Sequence, residues 1–235
     1  MLQLPFGDQS KLYTVSPTKI IALGLNYREH IAESHSVKVS GFTQEIPKEP
    51  VLFPKTPNVL IGPDETIVIP EFLKDYNFKD LRVDYEGELA LIISKDCKNV
   101  PEDAAYNVIL GFTIMNDVSQ RNLQTGDRSG WFRGKSLDTF GPIGPRIVPT
   151  EQIGDPQNLN IQTRLNQKVV QNANTCDMIF PIARIIAFIS KNFTLKTGDI
   201  ILTGTPSGVG QLHHGDTIEV EVENIGVLRN TVVEE

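Results

Sequence analysis

The sequence predicts a mixed, β-rich α+β fold, and three observations indicate it. Short runs rich in Val, Ile and Leu recur along the chain, each bounded by Gly, Pro, Asn or Asp, as is typical of short strands. Only one segment shows strong helical periodicity. The strand runs also follow one another without regular intervening helices, which argues against a doubly wound α/β sheet.

The predicted strands are the segments in which these apolar runs are clearest. They cover residues 20–25, 66–69, 83–93, 111–116, 159–165, 199–203, 217–222 and 227–233. Asn166 and Gln167 lie between two extended runs and predict a hairpin turn.

The strong helix is predicted over residues 181–193. Pro181 suits the first turn, and the apolar stripe that follows has helical spacing. The stripe consists of Ile182, Ile185, Ile186 and Ile189. Such a stripe is typical of a helix that packs on the core. A shorter helix is predicted over 102–108, whereas 31–48 is polar and aperiodic and fits either a surface loop or a lid over a site.

Composition and charge restrict the classes of function. The chain has 235 residues, 40% hydrophobic and 22% charged, which is ordinary for a globular protein. Its formal net charge of −7 provides no long-range attraction to nucleic acid or to an anionic membrane, so neither is expected as a partner. An anionic small substrate stays possible, because a metal or a few cations can meet its charge locally.

Other features favour a soluble, cytoplasmic protein. Cys97 and Cys176 are too few for a disulfide framework and lack metal-type spacing, so two reduced thiols are expected, with a single bridge as the alternative. The start of the sequence lacks the basic flank and apolar run of a signal peptide. No segment approaches the ~18 apolar residues that a membrane span requires.

An acidic pair stands at the mouth of an apolar strand. Glu86 and Glu88 precede the run Leu-Ala-Leu-Ile-Ile, and residues two apart in a strand project from one face. Two adjacent carboxylates repel unless a cation or proton intervenes. A hard divalent cation is the functional interpretation, and a solvated acidic strand end is the structural one.

A third acid ends another apolar run. Asp117 follows Gly-Phe-Thr-Ile-Met-Asn at 111–116. With Glu86 and Glu88 it would complete an oxygen set on one side of an octahedral cation, leaving positions for substrate and water. Acids at strand ends often only terminate the strand, so Asp117 by itself is weak evidence.

Two Gly-rich segments carry candidate substrate contacts. Lys135 lies among glycines that let backbone approach a ligand, and beside a metal it could bind an anion or stabilise an enolate. Thr205 lies in Thr-Gly-Thr-Pro-Ser-Gly-Val-Gly at 203–210, which is neither a P-loop nor a dinucleotide fingerprint but offers N–H groups and a hydroxyl. The structural alternatives are a surface lysine and a plain turn.

A candidate base follows the first predicted strand of the list above. His30 and Glu33 are three residues apart, so one helical turn would place them on one face. A carboxylate that orients a histidine makes it a general base for water. A surface His/Glu pair is the alternative.

The order and wording of these motifs together resemble the fumarylacetoacetate hydrolase family. The motifs are Asn-Tyr-x-x-His-x-x-Glu at 26–33, Pro-Val-Leu-Phe-Pro-Lys at 50–55, Glu-Gly-Glu at 86–88, Asn-Asp-Val-Ser at 116–119, Gly-Lys at 134–135 and Thr-Gly-Thr-Pro-x-Gly-Val-Gly at 203–210. The resemblance runs from about Lys19 to the C-terminus.

The resemblance implies a β-roll-like fold of the fumarylacetoacetate hydrolase C-terminal type, a homodimer, and Mg²⁺ or Mn²⁺ in the mouth of the roll. It implies a short N-terminal segment, 1–18, and a single catalytic domain, 19–235. The residues to which it assigns roles are the metal ligands Glu86, Glu88 and Asp117, the substrate contacts Lys135, Gln124 and Thr205, and the water-activating pair His30 and Glu33.

Some positions depart from the family pattern. Gln120 and Asn122 stand where bacterial relatives often have Ala and Asp, and Leu25 replaces an arginine common in the acylpyruvase type. The chain also has no room for the additional N-terminal domain of the fumarylacetoacetate hydrolases proper. These departures leave the predicted metal ligands intact and bear on the choice of substrate.

The expected substrate is a small 2-oxo-carboxylate. The complete His30/Glu33 pair favours hydrolysis of a C–C bond in an acylpyruvate. Oxaloacetate decarboxylation and isomerisation of a 2-hydroxy-dienedioate are the alternatives, because both use the same stabilised enolate. A non-catalytic metal- or ligand-binding homologue is the alternative from another class.

Overall fold

The strands are short and numerous, as the sequence predicts. The computed structural model describes residues 1–8, 11–33, 46–126, 128 and 131–235. The strands of this part of the chain are β1 (Gln3–Phe6), β2 (Lys11–Thr14), β3 (Ile20–Gly24), β4 (Val51–Lys55), β5 (Leu60–Ile61), β6 (Thr66–Ile69), β7 (Val83–Tyr85), β8 (Gly87–Ile93), β9 (Ile109–Asn116), β10 (Ser119–Gln120), β11 (Gly141–Pro149), β12 (Asn160–Leu165), β13 (Lys168–Asn174), β14 (Ile200–Leu202), β15 (Gly210–Gln211), β16 (Thr217–Val222) and β17 (Gly226–Glu234).

The helices are few and mostly short. The α-helices are α1 (Arg28–Glu33), α2 (Arg121–Gly126), α3 (Phe132–Lys135) and α4 (Ile182–Asn192), and the 3₁₀ turns are Pro57–Val59, Glu71–Tyr76, Glu102–Val108 and Thr175–Asp177. Among the described helices, none combines the length and the apolar character needed to cross a membrane.

Three sheets organise the described residues. The large sheet runs β2-β1-β11-β9-β8-β14-β3-β4, with β5 also paired to β11. A second runs β13-β12-β16-β17-β6, and a small third runs β10-β7-β15. Most pairs are antiparallel, but β14 pairs with β3 in parallel, joining Ile200 to Ile20. Mixed sheets with few helices confirm the predicted fold class.

Both faces of the large sheet are buried. Leu89, Leu91 and Ile93 of β8 face a core cluster that includes the stripe of α4 and residues of β12 and β16. Ala90 and Ile92 face a second cluster on the opposite side. Because side chains alternate along a strand, a strand covered on both faces reads as a continuous apolar run. The run at 89–93 therefore follows from its central position in the sheet.

Most predicted elements agree closely with the structure. The strands predicted at 66–69 and 217–222 have the observed bounds, and α4 lies within the predicted helix. The single strand predicted over 83–93 is wrong, because it is divided at Glu86 into β7 and β8, which belong to different sheets. The segment 102–108 is 3₁₀ helix. Of the predicted loop or lid at 31–48, residues 34–45 lie outside the described part.

Candidate metal centre and active-site cleft

The three predicted metal ligands meet where two antiparallel strands of the large sheet begin and end. Glu86 precedes β8, Glu88 is its second residue, and Asp117 directly follows β9. In the β8–β9 register Gly87 is opposite Asn116, which brings the acids together. All three side chains are buried, and a carboxylate oxygen from each lies within 4.8 Å of the others.

Backbone hydrogen bonds hold these acids in place. The Asp117 N–H donates to the Glu86 carbonyl over 2.8 Å, and the Glu86 N–H donates to Asn116 Oδ1 over 2.9 Å. The Gly204 N–H, in the Gly-rich turn after β14, donates to Glu88 Oε2 over 2.6 Å. The turn predicted to bind an anion thus binds a carboxylate of the protein itself. The ligand set is rigid because each acid is tied to backbone or to a neighbouring strand.

Gly87 lets the second sheet approach this centre closely. A Cβ on Gly87 would lie 2.4 Å from Thr163 Oγ1 and 2.9 Å from Val220 Cγ1. Glu86 and Glu88, on either side of it, project to the opposite face, as the period of two predicts. A residue without a side chain at this position therefore allows β8 to pack on β12 and β16 while both acids point to the other face and join the carboxylate triad.

Three buried cations surround the acids. Lys135 Nζ donates to Glu86 Oε2 over 2.7 Å and to Asp117 Oδ2 over 2.6 Å. Arg121 Nη2 donates to Glu86 Oε1 over 2.5 Å, and Lys55 Nζ lies 2.7 Å from Asp117 Oδ1. Charged groups without solvent are stable only when paired in this way.

The two glutamates differ in their electrostatics although they are two residues apart. Burial acts to raise the pKa of Glu86, but Lys135 and Arg121 outweigh it and hold that pKa well below its usual range. Burial, followed by the charges of Asp117 and Glu86, holds the pKa of Glu88 well above its usual value. Burial acts to lower the pKa of Lys135, but the charges of Asp117 and Glu86 outweigh burial, so that the pKa is raised above its usual value. The centre therefore favours additional positive charge beside Glu88.

The residues present fit a hard divalent cation. Within the described part of the chain, the buried Glu88 Oε1 accepts no hydrogen bond. Asp117 Oδ1 also accepts none, because its contact with Lys55 Nζ is outside hydrogen-bond geometry. Unsatisfied carboxylate oxygens in a dry site are costly. Oxygen donors alone, with no sulfur or imidazole among the three, suit Mg²⁺ or Mn²⁺. Glu86, Glu88 and Asp117 are thus the side chains that would hold the ion.

The other predicted site residues line one cleft beside this centre. His30, Gln124, Lys135 and Thr205 all contribute to its walls, together with Glu86. His30 is on α1, Gln124 on α2 and Lys135 on α3, so short helices after strands supply the polar groups. Glu33 is the last residue of α1, one turn after His30, and its side chain lies outside the described part of the structure.

Thr205 is held by protein contacts. Its hydroxyl donates to the Gly87 carbonyl over 2.9 Å and accepts from Gln171 Nε2 over 2.8 Å. A threonine hydroxyl has one proton to donate, so in this arrangement it offers a ligand only a lone pair. Binding of an anion at Thr205 would therefore use its backbone N–H.

Part of the cleft lining is apolar. Leu23, Leu25, Phe53 and Trp131 form this part. The rings of Phe53 and Trp131 pack edge to face with centroids 5.1 Å apart, and a Cβ on Gly24 would lie 2.7 Å from the indole. Leu25 has a left-handed backbone, with φ of 58°, which is rare for a bulky residue and is often found at functional sites.

Sequence reasoning gave no role to several residues of this site. Lys55 is 2% exposed at the end of β4, and Arg121 and Asp84 are buried behind Glu86. The signal for Lys55 is a single charge that ends an apolar run, which in a buried strand requires a partner. Arg121 could not be recognised, because its partners Asp84 and Glu86 are more than thirty residues away in sequence.

Two of the departures from the family pattern lie beside the cleft and have a structural explanation. Gln120 Nε2 donates to Asn122 Oδ1 over 2.8 Å, and Gln120 Oε1 accepts from the Leu123 N–H at the start of α2. Asn122 Oδ1 also accepts from the Arg82 N–H. The two residues join the start of α2 to β7 and do not line the cleft.

Mixed sheets with few helices and a buried carboxylate triad define the class of protein, and the comparison with family models identifies the family. The model for the fumarylacetoacetate (FAA) hydrolase C-terminal domain matches residues 19–233. The chain therefore belongs to the fumarylacetoacetate hydrolase family.

Its relatives include enzymes with different reactions. The chain is 37% identical over 242 residues to the rat mitochondrial oxaloacetate tautomerase Fahd2a, covering 98% of this chain and 72% of that protein. The 2-hydroxyhepta-2,4-diene-1,7-dioate isomerase of Mycobacterium marinum is 36% identical, with a TM-score of 0.80 over 96% of this chain and 82% of that one. The maleylpyruvate hydrolase of Sphingobium sp., solved with manganese(II) and pyruvate, is 30% identical, with a TM-score of 0.77 over 96% and 75%.

Proposed function

We propose that the protein is a Mg²⁺- or Mn²⁺-dependent hydrolase that cleaves a C–C bond in an acylpyruvate-type 2-oxo acid. The observation that carries the proposal is a buried carboxylate triad beside one cleft, which is lined by Glu86 of the triad, by the buried Lys135 and by His30 on a separate helix. The similarity to the Sphingobium maleylpyruvate hydrolase, whose structure contains manganese(II) and pyruvate, supports both the reaction class and the cation.

The cation and the charged residues serve the same step. A divalent ion held by Glu86, Glu88 and Asp117 supplies Lewis acidity that stabilises negative charge on a 2-oxo-carboxylate. Lys135, already charged and in contact with two of these acids, adds a second positive charge close to that position. Gln124 offers its amide to the substrate carboxylate. These groups bind and orient the pyruvate part of the substrate.

His30 is the proposed base. It takes a proton from water, the resulting hydroxide attacks the distal carbonyl, and the C–C bond breaks with its electron pair moving to the pyruvate carbon. Protonation of that carbon then gives pyruvate, and the acyl part leaves as a carboxylic acid. Glu33, one turn along α1, is the proposed partner that orients the imidazole.

The apolar part of the cleft supports an acylpyruvate. The apolar lining of the cleft is formed by Leu23, Leu25, Phe53 and Trp131, and it would receive an acyl group by burial of apolar surface. A second carboxylate placed against these side chains would be desolvated without a partner from them. The wall therefore favours a monocarboxylate with an alkyl tail over a dicarboxylate.

A second candidate function is enolisation without hydrolysis. The names of two relatives, an oxaloacetate tautomerase and a dienedioate isomerase, favour it. A proton shift or loss of CO₂ from oxaloacetate would use the same stabilised enolate but would need no activated water. The two candidates thus differ in their dependence on His30.

A substrate panel distinguishes these functions. The protein is freed of metal with a chelator and reconstituted with Mg²⁺ or Mn²⁺, and kcat/KM is measured for acetylpyruvate, fumarylpyruvate, oxaloacetate and a 2-hydroxy-dienedioate. The hydrolase proposal expects acetylpyruvate to be the best substrate and activity to depend on the added ion. Faster tautomerisation, decarboxylation or isomerisation would favour the second candidate, and metal binding without turnover of any substrate would identify a non-catalytic homologue.

A further inference from the structure

Asp84 is a buried carboxylate directly behind the proposed metal centre. It lies on β7, two residues before Glu86, and is 0% exposed. Its Oδ2 accepts from Arg121 Nε over 2.8 Å, and its Oδ1 accepts from Arg82 Nε over 2.8 Å. It does not line the cleft. Burying an ionised acid destabilises the fold unless paired charges and hydrogen bonds compensate for the lost solvation.

Arg121 connects Asp84 to two proposed site residues. Its Nη2 donates to Glu86 Oε1 over 2.5 Å and its Nη1 donates to Gln124 Oε1 over 2.9 Å, while Nε binds Asp84. The guanidinium group is planar, so a bond that fixes Nε also fixes the directions of both Nη groups. Asp84 thereby sets the orientation of the guanidinium fork, that is, of the two Nη groups. This fork holds the proposed metal ligand Glu86 and the proposed substrate-binding amide of Gln124.

The contact with Arg121 also determines which end of the Gln124 amide faces the cleft. Because Oε1 accepts from Arg121, the amide is oriented with its oxygen towards the guanidinium. The NH₂ group, with two protons to donate, is then the end available to a ligand. An amide in this orientation attracts a carboxylate, whereas the flipped amide would present an oxygen to it and repel it.

We propose that Asp84 is a positioning residue, which through Arg121 fixes Gln124 as a donor to the substrate carboxylate and holds Glu86 in the metal-binding arrangement. The proposal rests on the function proposed above, since it assumes an anionic 2-oxo acid beside a divalent ion. On this proposal Asp84 contributes to specificity for the substrate carboxylate, although its own side chain contacts neither the substrate nor the metal.

The test measures the binding of oxalate to the Mn²⁺-loaded chain of 235 residues. The variant Asp84→Asn keeps the volume but removes the charge and offers one acceptor oxygen where the carboxylate accepts from both Arg121 and Arg82, so the fork is held less firmly. Calorimetry with oxalate should show affinity reduced about tenfold, the scale of one hydrogen bond to a charged group. For a 2-oxo acid that is a substrate of the protein, the variant should show a larger rise in KM than fall in kcat.

A matched control and a double-mutant cycle separate positioning from general damage. Asp199 is equally buried, binds Lys19 and backbone N–H groups, and does not line the cleft. Asp199→Asn should lower the melting temperature but leave oxalate affinity unchanged. In a Gln124→Ala background the additional effect of Asp84→Asn on oxalate affinity should largely disappear, because both changes remove the same interaction.

The failures are distinguishable. If the native protein binds neither Mn²⁺ nor oxalate, the proposed function is wrong and this inference with it. If the native protein binds both and a folded Asp84→Asn variant binds oxalate equally well, the positioning role alone is wrong. Should that variant not fold, Arg121→Lys keeps the charge without the fork, and native oxalate affinity in that protein would overturn the inference.

Discussion

Glu88 has an environment that sets it apart from the other carboxylates of the site. From the described residues it accepts one hydrogen bond, donated by the Gly204 N–H, and its second oxygen is buried without one. Glu86, by contrast, contacts both Arg121 and Lys135. The positive charges already present therefore neutralise Glu86 but not Glu88. An added cation would stabilise the ionised form of Glu88 more than that of Glu86.

Replacement of Glu88 by Gln tests this asymmetry. The change preserves shape but removes the charge, so affinity for Mg²⁺ or Mn²⁺ should fall by about tenfold or more, since loss of even a residue that orients a ligand costs 10–100-fold. Calorimetric titration of the metal-free protein measures it, and circular dichroism checks the fold. Unchanged affinity would show that the ligand set is assigned wrongly.

His30 separates hydrolysis from reactions that need no water. In the variant His30→Ala, acylpyruvate hydrolysis should fall by ~10²-fold or more, the usual scale for loss of a general base. Conversion of oxaloacetate should fall less, because enolate formation there requires no activated water. Steady-state kinetics with both substrates measure the two losses in one preparation. Equal losses would remove the proposed division of labour between His30 and the metal centre.

At the scale of elements, β7 and β8 show what the pattern of residues determines and what it does not. The period of two correctly places Glu86 and Glu88 on one face, because neither the break nor the change of sheet alters the direction of their side chains. The break itself could not be predicted, since it depends on distant partners: β7 pairs with β10 and β15, and β8 with β9 and β14.

Other elements were missed for related reasons. The strands β1, β2, β4, β11 and β13 are largely polar, proline-containing or glycine-containing, so their apolar runs are interrupted. Strand β11, for example, contains Pro142, Pro145 and Pro149. The site residues were located by motif, whereas Arg121, Lys55 and Asp84 depend on contacts between distant segments. Local patterning thus predicts the fold class and the acids, and long-range pairing supplies the cations.

The close packing of β8 on the second sheet gives a stability prediction. Gly87→Ala would place a methyl group 2.4 Å from Thr163 Oγ1 between two packed strands. Overpacking of this kind costs about 1–3 kcal/mol. Gly126→Ala is the control, because a Cβ there meets nothing within 4 Å. Urea unfolding should show a loss for the first variant and none for the second, and equal stabilities would contradict the tight approach.

For the whole molecule, we propose a homodimer on the basis of the family resemblance. Sedimentation at micromolar concentration should give about twice the chain mass of 26.1 kDa. Loading with Mn²⁺ should not change this value, because the proposed ligands all come from one chain. A single species with the mass of one chain would contradict the proposal.

Asp199 ties the N-terminal strands to the rest of the molecule and gives a pH prediction. Burial acts to raise its pKa, but hydrogen bonds from Lys19 and Thr18 outweigh it and lower the pKa below its ordinary value. The stabilisation is therefore present above pH ~4, the usual pKa of an aspartate, and is lost as the pH falls through the folded-state pKa. Asp199→Asn should cost about 2 kcal/mol at pH 6 and less at pH 3.

Urea unfolding at the two pH values measures this difference. The native protein should lose more stability than the variant between pH 6 and pH 3, since only the native protein has this carboxylate to protonate. An equal loss in both proteins would show that Asp199 does not contribute to the acid sensitivity of the fold.

The parallel pairing of β14 with β3 has a consequence for biosynthesis. Strand β3 finds β4 soon after both emerge, but its other edge waits for Ile200, 180 residues after Ile20. At ribosomal speeds of about 5–20 residues per second, that edge stays open for roughly 9 to 36 s. The nascent chain therefore exposes an apolar strand edge until nearly the last segment is made, and this unpaired edge makes the incomplete chain more prone to aggregation than the folded protein.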